Sequence, residues 1–207
     1  LACGVNIGYI NQHTAYLESH VIGDPTVRFV SADKQVLDLD HIINEDKPSV
    51  WKKLLNNDHP DIQSLAIEHL FRHGLISSAK LRSIYESSPY ATVRLQALEK
   101  LALAGDDNFI EVLKEASQDS HELVQRQALR LIGKSGDERL IPVLMKVCIS
   151  NNTSDRCNFN AMADLSVFPK DKLLAEFDRQ FSSPSVCYMQ KDSVCAKIRR
   201  TIERSAD

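Results

Sequence analysis

Long apolar runs are missing from this 207-residue sequence, whose longest stretches are only a few residues. A bilayer-spanning helix needs roughly 20, so no membrane span is expected. Glycine is scarce at 7 residues, and aromatics make up 6%. A β-sandwich or barrel draws on more glycine in its turns and on more β-branched runs, so the composition leans towards helix. An excess of one charge is missing too: 25 Lys and Arg face 28 Asp and Glu, a net charge of −3. That counts against a dedicated nucleic-acid binder, which is usually basic. What is present is ordinary globular usage, 43% hydrophobic and 26% charged. The length suits one domain, or one with an appendage, and needs no disulfide or metal staple.

Catalytic patterns are also missing. The sequence holds no G-x-S-x-G, no H-E-x-x-H, no glycine-rich phosphate loop and no dinucleotide fingerprint. No catalytic residue and no cofactor is therefore expected, and the chain reads as a non-enzyme. Its five cysteines, Cys3, Cys148, Cys157, Cys187 and Cys195, are an odd number without a C-x-x-C. They read as small buried hydrophobes rather than a zinc ribbon or redox motif. Cys187 and Cys195 would lie ~12 Å apart along one helix, too far to bridge unless that helix is broken. A pairing of Cys3 with a distant cysteine stays open. His69 and His73 stand at i, i+4, a spacing that can hold a metal. No third ligand is evident, so they read as ordinary helix-end histidines and no metal is expected. No charged-then-apolar leader precedes the rest. Leu1-Ala2-Cys3-Gly4 has its Leu one place too close to the Cys for a lipoprotein cleavage site. The expectation is a piece of a longer chain.

What the sequence does contain is a repeat. Ala66, Ala97 and Ala128 are spaced by 31 residues, and so are Gly74, Gly105 and Gly136. Around each alanine runs the same pattern: Ile62-x-x-x-Ala66-Ile67-x-x-Leu70, Val93-x-x-x-Ala97-Leu98-x-x-Leu101 and Val124-x-x-x-Ala128-Leu129. A fourth copy carries two inserted residues, with Cys157, Ala161, Met162 and Leu165 in phase and Pro169 in place of the glycine. Spacings of i, i+4, i+5 and i+8 make one apolar stripe on a helix. The alanine marks a close backbone approach, and the glycine a left-handed C-cap. The acidic pairs Asp106-Asp107 and Asp137-Glu138 then open the next helix. Each unit is a helical hairpin that cannot bury its stripe alone and must stack on the next.

These units resemble HEAT repeats of the short form also found in phycobilin lyases. The likeness rests on the Val/Ile-x-x-x-Ala-Leu/Ile-x-x-Leu core, the trailing Gly, the acidic pair after it and the Val93-Arg94 pair; Gln63, Gln125 and Asn158 depart from that Arg. It implies an all-α, right-handed α-α superhelix, a solenoid of about five hairpins. The expected helix pairs are 49–56 with 60–73, 77–87 with 90–104, 108–117 with 121–134, 138–149 with 154–167, and a divergent 171–181 with 185–204. The basic run Lys197, Arg199, Arg200 and Arg204 on the last helix reads as a solvated face. Trp51 reads as a plug over the open end of the stack.

Residues 1–47 lack the period and read as a small α/β segment ahead of a repeat domain at 48–207. A helix is expected over 9–21 and strands over 26–31 and 36–39. His20-Val21-Ile22-Gly23-Asp24-Pro25-Thr26-Val27-Arg28-Phe29 is similar to the end of the catalytic domain of gingipain-type cysteine peptidases. That family's catalytic His and Cys map onto no residue here. The resemblance implies a secreted or cell-envelope protein, periplasmic in a bacterium. Gly-Asp-Pro is equally a plain turn.

The function expected is a protein- or peptide-binding scaffold. Three outward rows on the second helices form its candidate face: Gln63, Arg94, Gln125 and Asn158; Ser64, Leu95 and Arg126; Glu68, Glu99 and Arg130. Arg94 and Arg126 are the candidate anchors, because arginine makes planar bidentate contacts. A hydrogen bond from Arg94 to its own repeat's turn is the competing reading. Glu68 and Glu99 break any basic stripe that a nucleic acid would need. Three other readings are a docking tail of a peptidase, a bilin-lyase-like cofactor chaperone and a nucleic-acid binder.

Overall fold

A computed structural model describes residues 6–12, 22–29, 37–106, 109–150, 153–183 and 191–204. Among them every regular element is helical and there is no strand. The chain forms two compact units, Leu1–Ala104 and Gly105–Asp207. The boundary expected at 47/48 lies inside the first.

The first unit opens with α1 (Ile7–Gln12) and α2 (Leu39–Glu45), followed by the hairpins α3 (Pro48–Leu54) with α4 (Pro60–Arg72) and α5 (Ser78–Ser87) with α6 (Ala91–Ala104). The second holds α7 (Phe109–Ala116) with α8 (Glu122–Ser135), then α9 (Ile141–Cys148) with α10 (Asp155–Asp164), and α11 (Lys170–Phe181) with α12 (Lys191–Arg204). A 3-10 turn at Glu138–Leu140 leads into α9, and another at Leu165–Val167 follows α10. Second helices pack side by side within each unit, α4 on α6 and α8 on α10. The chain is thus all-α and HEAT-like, with every repeat helix within a few residues of its expected span where described. The expected start of the last helix, 185–190, lies outside the described residues.

The periodic positions do what their chemistry requires. Ala66, Ala97, Ala128 and Ala161 are all fully buried, so the alanine column is a seam where helices approach closely. Gly74, Gly105 and Gly136 all take positive φ, between 61° and 67°, the left-handed conformation that ends a helix. Ser77 caps α5 by accepting from the Lys80 amide at 3.2 Å. Asp137 accepts from the Arg139 amide at 2.9 Å and pairs with its guanidinium, which holds the carboxyl down at about 2.

The N-terminal segment departs from expectation. Residues 26–29 and 37–38 are not strands, and 39 begins α2. The reason is that their backbone groups are spent elsewhere. Asp24 Oδ1 accepts from both the amide and the hydroxyl of Thr26, closing a turn. The Pro25 and Val27 carbonyls then accept from the Gly8 and Ile7 amides, satisfying the free donors at the start of α1. The remaining expected strand residues, 30–31 and 36, and the helix expected over 13–21 lie outside the described residues. Instead of a sheet, α1 and α2 supply Tyr9, Ile10, Leu39, Ile42 and Ile43 to a cluster around Trp51, Leu54, Ala66 and Leu70. Trp51 is therefore not an outer plug but lies fully buried within that cluster.

Among the described cysteines, Cys148 and Cys157 are buried thiols and Cys195 is half-buried, all unbridged. Burial pushes the Cys148 thiol up to about 12, so it stays protonated and inert. Cys3 and Cys187 lie outside the described residues. On α12, Arg199 is not simply solvated: it pairs with Asp178 of α11 and lies 5.2 Å from the centre of the Phe177 ring.

Candidate functional site

The first expected row is an internal clamp. Gln63 Nε2 donates to the Asn57 carbonyl at 2.5 Å, Arg94 to the Ser88 carbonyl at 3.0 Å, and Gln125 Nε2 to the Asp119 carbonyl at 2.5 Å. Asn57, Ser88 and Asp119 share the 31-residue period. The side chain of each also accepts from the amide two residues on, at 2.9, 3.3 and 2.8 Å. One position thus closes the turn with its side chain while its carbonyl receives the next helix's row residue. In the fourth copy, with its insertion, Asn158 Nδ2 donates to the Val147 and Cys148 carbonyls at 3.3 and 3.1 Å. It reinforces the end of α9, where the Val147 carbonyl also accepts from the Ser150 amide at 3.2 Å. These four side chains tie turns to helices; Arg94 in particular is engaged with its own repeat.

The second row divides. Ser64 and Leu95 are buried, Leu95 at 2% exposure, so neither faces outward. The physical reason is that α6 buries seven residues around its circumference, Gln96 and Lys100 among them, and a single stripe does not describe it. Further along, Arg126 is half-buried. Phe159, the equivalent position on α10, is 65% exposed.

The third row divides as well. Glu68 is not an outward charge: it pairs with Lys100, accepts from Gln96 Nε2 at 2.9 Å and lies 3.3 Å from Arg72. Burial alone would raise its pKa, but Lys100 and Arg72 together hold it below the usual value. Glu99 is half-buried and Arg130 exposed. Arg130 lies near Asp164, whose carboxyl burial pushes up and Arg130 partly pulls back. The second unit therefore groups Arg126 and Arg130 on α8 beside the exposed Phe159 on α10.

A separate cluster was only half legible in the sequence. His69 and His73 end α4 on one face, with ring centres 4.6 Å apart. The third group is Asp46, 23 residues before His69. Asp46 caps α2 in the left-handed conformation, φ 49°, and its own amide bonds Ile42. One of its oxygens contacts His69 Nε2, and the other lies 3.7 Å from His73 Nε2. Hydrogen bonding from His69 lowers the Asp46 pKa most, ahead of the nearby His73. Trp51 stacks on His69 at 4.0 Å and 17°.

Comparison with known proteins places these repeats. Residues 78–158 match the family described as HEAT repeats. The chain is also 26% identical over 162 residues to a "Bilin biosynthesis protein CpeZ" from Synechococcus sp. (strain WH8020), covering 71% of this chain and 85% of that protein. Both agree with a HEAT-like helical repeat protein.

Proposed function

We propose that the chain is a non-enzymatic module that binds a protein or peptide. Its docking face is the second-helix surface of the second unit, centred on Arg126, Arg130 and Phe159. The observation that carries this reading is Phe159, a large aromatic 65% exposed in register with Arg126 on the neighbouring helix. Aromatic and arginine side chains dominate binding energy at interfaces. Two cations suit an acidic segment, and the ring suits an apolar residue beside it. Gln125 and Asn158 support that surface by fixing the turns of the second unit. The net charge of −3 favours a protein or peptide over a nucleic acid as the partner.

The test is selection of ligands from a phage-displayed peptide library panned on the purified chain. Phe159→Ala and Arg126→Ala should each weaken the selected peptides roughly tenfold or more, about 1.4 kcal/mol, with Tm little altered. Unchanged affinity in both variants would place the face elsewhere.

A second reading has its own observation, the similarity to a bilin biosynthesis protein along 85% of that protein's length. In it the same scaffold handles a bilin. Mixing the chain with a linear tetrapyrrole and recording the visible spectrum separates the two readings. A stoichiometric band shift favours bilin handling, and an unchanged spectrum favours the peptide face.

A further inference from the structure

We propose that Asp46, His69 and His73 bind a single divalent metal ion of the zinc class, a site that goes beyond the docking reading. The three side chains come from two elements and converge: their candidate ligand atoms all lie within 4.8 Å of one another. Two imidazole nitrogens and a carboxylate oxygen are the donor set that borderline first-row ions prefer, with bonds of about 2.0–2.2 Å. The arrangement is ready-made rather than a chance surface pair. The i, i+4 spacing at the end of α4 points both rings the same way, and that helix end favours positive charge. Trp51, fully buried, stacks on His69 and holds the plane of its ring. The left-handed backbone at Asp46 turns the chain so that one oxygen faces each histidine.

A second observation points to the same place. The Trp51 indole N–H is buried without a hydrogen-bond partner. It lies near enough to the Asp46 carboxylate to contribute the smallest of the pulls on that group. A donor waiting beside a carboxylate is the outer support that orients a metal ligand. Solvent reaches the other side: the His69 side chain is 11% exposed, but those of Asp46 and His73 are each 44% exposed. Three protein ligands with one open side leave the fourth position to water or to a donor from a partner, the pattern of an open zinc site.

The experiment uses the full chain, free of tags and with its thiols kept reduced. Zn2+ titrated calorimetrically should bind with a stoichiometry of one ion at this site. Co2+ should quench the fluorescence of the single tryptophan, and excess Zn2+ or EDTA should reverse it. Asp46→Asn, which keeps a residue tolerant of the left-handed backbone, and His73→Ala should each weaken Zn2+ roughly 10–100-fold. Both should abolish the Co2+ quenching while retaining the wild-type circular dichroism spectrum. His41→Ala, on α2 but outside the cluster, should change neither readout. Zinc binding equal in wild type, Asp46→Asn and His73→Ala would overturn the proposal, and so would the absence of zinc binding to the wild type. The two variants alter different elements, so one that misfolds leaves the other to decide.

Discussion

At the scale of single residues, a carboxylate shows how burial and charge compete. Asp164 has one oxygen buried without a hydrogen-bond partner, and burial raises its pKa above 3.8. A raised carboxyl pKa means that the folded chain holds the proton more tightly than the unfolded one. The group therefore costs no stability below pH 3.8, and the cost grows as pH rises from there through the folded value. Asp164→Asn should raise Tm at pH 7, by about 2–4 °C per kcal/mol recovered, and should leave it unchanged at pH 3. An equal gain at both pH values would mean that shape rather than charge is responsible. Residue identity alone revealed half of what matters here. His69 and His73 announce themselves by spacing along one helix, whereas Asp46 reaches them only because α2 ends in a left-handed turn. Nothing local to residue 46 encodes that meeting.

At the scale of elements, one glutamate ties a helix to its neighbour. Glu68 on α4 accepts from Gln96 and pairs with Lys100, both on α6, and so ties second helix to second helix. Removing it leaves the Lys100 ammonium, its side chain 11% exposed, without that partner. Glu68→Ala should destabilise by roughly 2–3 kcal/mol, somewhat less than the 3–5 of a fully buried pair. Chemical denaturation checks this, and a loss within about 0.5 kcal/mol, the size of an ordinary surface change, would mean that the tie contributes nothing. The helices themselves were legible because alanine, glycine and capping positions recur every 31 residues. The use of each outward row was not. A side chain such as Arg94 can reach a partner or its own turn with the same geometry at Cα, and the carbonyl six residues earlier decides which.

For the whole molecule, the two compact units make a test of self-sufficiency. Everything identified around Trp51 lies between Tyr9 and Ile76. A fragment of residues 1–104 should therefore keep the blue-shifted tryptophan emission of the full chain and lose it on adding denaturant. A red-shifted fragment would show that the core of this unit needs residues beyond 104. The expectation of strands failed at this scale for the described residues 26–29 and 37–39, because a strand needs a partner for its backbone. Instead the carbonyls of Pro25 and Val27 cap α1.

By itself the sequence determined the all-α repeat, the hairpin boundaries, the alanine seam and the glycine caps. Each follows from short-range chemistry: helical periodicity, the cost of a left-handed turn for residues with a Cβ, and the close approach that only a small side chain permits. Only the tertiary structure decided which polar residues face solvent, which tie one helix to the next, and which groups from distant segments meet. Those outcomes depend on helix–helix packing, where a side chain such as Glu68 or Asp46 finds its partner more than twenty residues away. One-dimensional spacing carries no record of that distance.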